Sequence, residues 1–170
     1  MGAEVVPSQV ILFGASGDLA RRKLFPALAA LKARRNANKQ FRVVAVARSE
    51  LSAEKLRRSV APFIDDADRD GFEQLLADCT FVRADVSDGE TLRALAVHLS
   101  GLPGGQQAER LCYLALSPKL FLRAVSNLVE AGVLARCAHV HDPARRVLVE
   151  KPFGTCLDTA RKLNEGLHEL

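Results

Sequence analysis

The chain has 170 residues, of which 48% are hydrophobic and 26% charged, and its formal net charge is +4. These values are typical of one globular domain with a sizeable core. No stretch approaches the roughly 18 consecutive apolar residues of a membrane span, and the first residues lack the pattern of a signal peptide. Basic residues are scattered and tryptophan is absent, which argues against a nucleic-acid surface based on stacking. We therefore expect a cytoplasmic protein that binds neither membranes nor nucleic acids.

The first third of the chain alternates apolar runs with helical patterns. Residues Gln9 to Phe13 predict a first strand. Leu24, Leu28 and Leu31 then recur at helical spacing, and Pro26 either starts that helix or kinks it.

The middle of the chain repeats this pattern. Phe41 to Ala47 predict a second strand, after which Ser52 caps a helix that runs to about Ile64. The acidic stretch Asp65 to Asp70 is interpreted as a solvated turn that leads to a third strand over Thr80 to Ala84.

A helix and a loop follow the third strand. Ser87 and Glu90 have the spacing of a capping box and predict a helix start. Gly101 to Gln107 form the clearest loop, and Leu111 to Leu116 predict a buried strand.

The remaining segments continue the alternation. Ser117 and Pro118 predict the start of a helix that ends near Ala131. Val147 to Val149 form the last predicted strand, and Thr155 caps the last helix. Strands that alternate with helices predict an α/β protein with a Rossmann-type, doubly wound parallel sheet in three layers, α/β/α, over residues 1–170.

A glycine-containing loop follows the first strand directly. Its sequence is Gly14-Ala15-Ser16-Gly17-Asp18-Leu19-Ala20. Ala15, Gly17 and Ala20 have the spacing of the G-x-G-x-x-G/A dinucleotide motif, with the first glycine displaced to Gly14. Such a loop presents backbone amides at a helix start to a phosphate. The alternative is an ordinary turn between strand and helix.

The second strand ends in Arg48 and Ser49 rather than in an acidic residue. A carboxylate at this position binds the ribose 2′-hydroxyl of NAD, whereas a guanidinium pairs with the 2′-phosphate of NADP. Arg48 therefore predicts NADP as the cofactor, and the alternative is a surface arginine.

One short segment raises the question of a metal site. Cys137, His139 and His141 alternate, with Asp142 next, so their side chains would share one face of an extended segment. No fourth ligand at zinc spacing is present, so we expect no metal.

Four motifs in order, GASGDLA, ARS, YLAL-x-P and EKPFG, resemble those of glucose-6-phosphate dehydrogenase from Val10 to about Leu163. The resemblance implies that residues 14–20 hold the cofactor pyrophosphate, that Arg48 contacts the 2′-phosphate and that Lys151 lies between sugar phosphate and nicotinamide. It implies oxidation of glucose 6-phosphate by NADP to 6-phosphogluconolactone, the first step of the pentose phosphate pathway, by a homo-oligomer. Phe121 stands where the family often has a tyrosine that contacts the cofactor; the alternative is a core residue.

The family's catalytic base is a histidine in a motif similar to RIDHYLGKE, downstream of EKPFG and followed by a large substrate domain. The 170 residues contain neither. We therefore expect no catalytic residue within this chain, and we interpret His98 and His168 as surface residues. Two alternatives stay open: a stand-alone NADP-binding module or sensor, and another EKP-bearing oxidoreductase of the glucose–fructose oxidoreductase type, against which Asp18-Leu19 and Phe153-Gly154 argue.

Overall fold

The fold is described from a computed structural model, in residues 8–34, 41–135, 143–152 and 157–168. The segment with Cys137, His139 and His141, and the predicted helix cap Thr155, lie outside these residues.

Five parallel strands in the described residues form one sheet. They are Ser8–Phe13 (β1), Phe41–Ala47 (β2), Thr80–Arg83 (β3), Arg110–Leu114 (β4) and Arg145–Val149 (β5). The strand order is β3-β2-β1-β4-β5. The order reverses between β1 and β4, which creates the crevice at the carboxyl ends of the strands where open α/β sheets bind ligands. The predicted doubly wound sheet is confirmed.

Six α-helices in the described residues connect and cover the strands. They are Phe25–Ala33 (α1), Ala53–Val60 (α2), Arg69–Asp78 (α3), Gly89–Gly101 (α4), Phe121–Glu130 (α5) and Leu157–His168 (α6). A π-helical turn over Ala20–Leu24 runs directly into α1. Pro26 lies in the first turn of α1, and because it has no amide donor, the change from π-helical to α-helical hydrogen bonding falls next to it.

Two hydrophobic cores lie on opposite faces of the sheet. On one face α1, α2 and α3 pack against side chains such as Leu12, Val43 and Ala45. On the other face α4, α5 and α6 pack against alternate strand residues such as Ile11 and Val44. Because successive strand side chains point to opposite faces, both faces of the central strands are apolar. The predicted three layers, α/β/α, are therefore present.

The acidic stretch begins with a largely exposed turn, as predicted, but the helix that follows it, α3, was not predicted. Asp66–Asp68 form a single 3₁₀ turn, and α3 begins immediately after it at Arg69. Gly71 allows α3 to lie directly on α1, because a Cβ on Gly71 would be 2.2 Å from the carbonyl oxygen of Ala29. Packing between the two helices therefore determines this helix, and its local sequence does not predict it.

Two smaller predictions, both on α4, also need correction. The cap of α4 is Asp88, whose side chain accepts the Glu90 amide, and not Ser87. Helix α4 extends through Gly101, which was placed in a loop. The first helix buries Phe25 and Ala29, whereas Leu31 is 46% exposed. In this helix nearly every residue is apolar, so the leucine spacing does not identify the buried face.

Candidate functional site

A cleft of about 840 Å³ lies over the carboxyl ends of β1, β2, β3 and β4. Each of the four loops after these strands contributes to its lining: Phe13, Gly14, Ser16 and Gly17; residues 46–49; residues 83–87; and residues 115–117 with Leu120. This position is the crevice that the strand order creates.

The loop after β1 forms the floor of the cleft. Gly14 has a φ of +78°, which favours glycine, and its carbonyl oxygen accepts the Gly17 amide at 2.8 Å. The Ala15 amide donates to the carbonyl oxygen of Val46 at 3.1 Å and so attaches the loop to the end of β2. A Cβ on Gly17 would lie 3.0 Å from the carbonyl oxygen of Gly14. The loop is thus a cradle that a side chain would fill, as the close approach of a phosphate requires.

A helix begins at the end of this loop. The carbonyl oxygen of Gly17 accepts the Arg21 amide at 3.1 Å, so Gly17 is the first residue with a helical hydrogen bond. The amides of Asp18, Leu19 and Ala20 precede that bond and have no acceptor within the helix. Free amides and the positive end of the helix dipole favour an anion at this point.

Four predicted loop residues do not contribute side chains to the cleft. Ala15 and Ala20 are fully buried in the core, and Leu19 is 39% exposed outside the cleft lining. The carboxylate of Asp18 accepts hydrogen bonds from Arg22 at 2.9 Å and Arg21 at 3.3 Å. These residues therefore shape the loop through backbone, packing and ion pairs.

The wall formed by β2 and β3 is rich in cationic and polar groups. Arg48 lines the cleft with Ser49, and Arg83 at the end of β3 donates from Nε to the carbonyl oxygen of Arg48 at 3.1 Å. Asp85 and Ser87 complete this wall. The sequence interpretation missed Arg83, Asp85 and Ser87, although they directly follow a predicted strand, as Arg48 does.

Lys151 lies apart from the cleft lining, beyond the end of β5, and is exposed. Its neighbour Glu150 accepts a hydrogen bond from the Tyr113 hydroxyl of β4. Burial, together with this hydrogen bond, raises the pKa of Tyr113 to about 12. The Lys151-Pro152 bond is cis. Phe153 and Gly154 of the same motif lie outside the described residues.

A family model described as "Glucose-6-phosphate dehydrogenase, NAD binding domain" matches residues 11–170. The chain belongs to this family. The glucose-6-phosphate 1-dehydrogenases of Takifugu rubripes and Bacillus subtilis are 31% and 32% identical to it, each over 94% of this chain. The alignments cover 29% and 32% of those two proteins, so the chain spans about a third of their length.

Solved structures of glucose-6-phosphate dehydrogenases agree with this assignment. The Mycobacterium avium enzyme superimposes with a TM-score of 0.78 at 30% identity, over 96% of this chain and 34% of its own. A glucose-6-phosphate dehydrogenase in complex with its substrate glucose-6-phosphate also gives 0.78, at 32% identity, over 100% of this chain and 36% of its own. The predicted resemblance, the Rossmann-type fold and the nicotinamide dinucleotide as cofactor class are confirmed.

Several side chains have structural positions that limit their role in this dehydrogenase domain. Phe121 is fully buried in the core, which supports the alternative of a core residue, and His98 is exposed on α4. Burial raises the pKa of the Cys79 and Cys112 thiols to about 12, so neither is a nucleophile.

The described part of the chain contains no cluster of three His, Cys, Asp or Glu residues placed to hold a metal ion. None of its helices is both long and apolar enough to span a bilayer.

Proposed function

We propose that this chain is the NADP-binding domain of a glucose-6-phosphate dehydrogenase, which converts glucose 6-phosphate and NADP to 6-phosphogluconolactone and NADPH. The observation that carries the proposal is Arg48, which follows β2 directly and lines the cleft of the family's nucleotide-binding domain. When bound, NADP supplies the acceptor for the hydride that leaves carbon 1 of the sugar.

The loop after β1 binds the pyrophosphate in this proposal. Gly14 and Gly17 keep its surface free of side chains, and the amides of Asp18, Leu19 and Ala20 donate at the helix start. Ser16 lines the same floor and adds a hydroxyl. The side chains of Ala15 and Ala20 are fully buried and act by packing, so in this proposal Ala20 contacts the phosphate only through its backbone amide.

Arg48 distinguishes the two nicotinamide cofactors. Its guanidinium donates paired hydrogen bonds to a phosphate and has no ion pair with another described residue. The acidic residue that would prefer a free ribose hydroxyl is absent from the strand end, since Glu50 comes two positions later and does not line the cleft. We therefore infer a preference for NADP over NAD.

Lys151 contacts the substrate in this proposal. It follows β5 at the same edge of the sheet as the cleft, and its ammonium group is exposed and able to donate to a sugar hydroxyl. The Tyr113 hydroxyl holds the preceding residue, Glu150, against β4 and so positions the backbone that carries Lys151.

A stand-alone NADP-binding module without catalysis is the competing proposal. One observation favours it: no histidine is among the residues that line the cleft in the described part of the chain. Both proposals require the same cofactor site, and they differ in whether further residues of a longer protein complete the chemistry.

Calorimetric titration of the 170-residue chain with NADP and with NAD tests the cofactor proposal. We expect tighter binding of NADP, and Arg48→Ala should weaken NADP binding by about 1.5–3 kcal/mol while it leaves NAD nearly unchanged. Arg58→Ala is the matched control, because Arg58 is an exposed arginine on α2 that does not line the cleft. Equal affinities for the two cofactors in the unaltered chain would overturn the proposal.

A further inference from the structure

Arg83 shares the cleft wall with Arg48 although no motif marks it. It is the last residue of β3, and its backbone is paired in register with Ala47 of β2, so Arg83 and Arg48 lie side by side at the edge of the sheet. The Arg83 Nε donates to the carbonyl oxygen of Arg48 at 3.1 Å. This bond fixes the side chain and uses one of its five N–H donors.

The charges of this wall are unbalanced. Some exposed arginines have carboxylate partners, as in the pairs Arg57 with Glu73 and Arg58 with Glu54. Neither Arg48 nor Arg83 forms an ion pair in the part of the chain that the structure describes.

Among the described residues, one carboxylate, Asp85, lines the cleft, and it offsets at most one of the two positive charges. Asp85 accepts the Ser87 amide at 2.8 Å, in a local turn of the backbone. Two adjacent cations that form no ion pair repel each other, and an anion that contacts both relieves this repulsion.

A ribose 2′-phosphate is such an anion. At neutral pH a phosphate monoester carries about 1.5 to 2 negative charges on three acceptor oxygens. One guanidinium neutralises one charge and occupies two oxygens, which leaves charge and an acceptor for a second guanidinium.

We propose that Arg83 is a second ligand of the NADP 2′-phosphate and determines cofactor specificity together with Arg48. This inference rests on the proposed NADP-binding function and assigns a further residue to it. Asp85 and Ser87 line the same wall, and the bond between them keeps the carboxylate occupied by a backbone amide.

The test uses two probes that differ only in the 2′-phosphate, adenosine 2′,5′-bisphosphate and adenosine 5′-monophosphate, titrated calorimetrically into the whole chain. We expect Arg83→Ala to weaken binding of the bisphosphate by about tenfold or more and binding of the monophosphate by less than about twofold. Arg83→Gln keeps most of the side-chain stem and an uncharged NH₂ donor, and it replaces the alanine variant if that variant unfolds. Arg58→Ala again controls for the loss of one positive charge.

A double variant separates a direct contact from support of Arg48. If Arg83 binds the phosphate itself, Arg83→Ala still weakens binding of the bisphosphate in an Arg48→Ala background. If Arg83 only holds the Arg48 backbone, its replacement has no effect in that background, and the proposal is wrong.

Three other outcomes have distinct meanings. Equal weakening of both probes would show that Arg83 stacks on the adenine and would overturn the proposal. Unchanged binding of both probes would overturn it as well. If the unaltered chain does not prefer the bisphosphate to the monophosphate, both the proposed NADP specificity and the proposed role of Arg83 are wrong. If the unaltered chain shows this preference and Arg83→Ala does not change it, only the role of Arg83 is wrong.

Discussion

Gly14 and Ala115 approach each other so closely that a Cβ on Gly14 would lie 2.3 Å from the carbonyl oxygen of Ala115. Gly14 follows β1 and Ala115 follows β4, so this contact joins the two loops at the point where the strand order reverses. The φ of Gly14 is +78°, a conformation that costs other residues roughly 1–2 kcal/mol. The floor of the cleft therefore requires glycine for both backbone conformation and space.

We expect Gly14→Ala to lower the free energy of unfolding by roughly 2–4 kcal/mol, because backbone strain and a backbone clash add. Urea denaturation followed by circular dichroism measures this loss. Gly101→Ala is the control: a Cβ there meets nothing within 4 Å, so this variant should not lose stability and should gain up to about 1 kcal/mol. An unchanged midpoint for Gly14→Ala would contradict the close approach to Ala115.

Gly17 allows a different experiment, because its φ lies outside the positive range. We expect Gly17→Val to abolish NADP binding while the circular dichroism spectrum stays nearly unchanged, since the side chain would occupy the space of the pyrophosphate. The 3.0 Å contact of its Cβ with the Gly14 carbonyl oxygen requires only a small local shift. Calorimetry with NADP measures the loss, and retained affinity would place the phosphates elsewhere.

The strands and their order are the part of the fold that sequence predicts best. The second strand, Phe41–Ala47, has the predicted bounds because its apolar run is buried on both faces and is flanked by polar residues. Strand β5 was predicted too short: its first residues, Arg145 and Arg146, are charged and lie at the sheet edge, so hydropathy does not reveal them.

Helix α3 shows why part of the fold was not predicted from the sequence. Its first turn follows an acidic run, and Gly71 within it lowers helix propensity. Contact with α1 stabilises the helix, and that contact exists only in the folded chain. The candidate site shows the same contrast. Sequence motifs predict the glycine loop and Arg48, whereas Arg83 becomes a candidate only when β3 is known to lie next to β2.

The single tyrosine of the chain makes a direct pKa measurement possible, because tryptophan is also absent. The pKa of Tyr113 is raised to about 12 by burial and by the hydrogen bond to Glu150. We therefore expect the phenolate absorbance to appear well above pH 10, the usual tyrosine range. Glu150→Gln should lower the midpoint of the Tyr113 titration, since the carboxylate that accepts the phenolic hydrogen bond is removed.

The same group makes stability depend on pH in a defined direction. The folded chain binds the phenolic proton more tightly than the unfolded chain, so this stabilisation is complete below about pH 10 and is lost as the pH rises through about 12. In Tyr113→Phe, the urea concentration at the denaturation midpoint should fall less steeply between about pH 10 and pH 12 than in the unaltered chain. A Tyr113 titration near pH 10 in the native chain would contradict both expectations.

The last prediction is that the 170-residue chain alone does not oxidise glucose 6-phosphate. Removal of the proton from the hydroxyl on carbon 1 requires a positioned base, which is typically worth about 10²–10⁴-fold in rate. The titratable side chains that line the cleft in the described residues are Arg48, Arg83 and Asp85. The first two are guanidiniums, and the Asp85 carboxylate accepts the Ser87 amide on the wall assigned to the adenosine end of the cofactor.

Lys151 does not replace that base. In the proposed site it donates to the sugar, and one ammonium group does not also bind the 6-phosphate, so orientation of the substrate, a further large contribution to rate, is incomplete. NADPH absorbance at high protein concentration and saturating glucose 6-phosphate measures the activity, and we expect no rate above the blank without protein. A rate that Lys151→Ala abolishes would contradict this prediction and would place a proton acceptor within these 170 residues, with Cys137, His139 and His141 as the first side chains to replace.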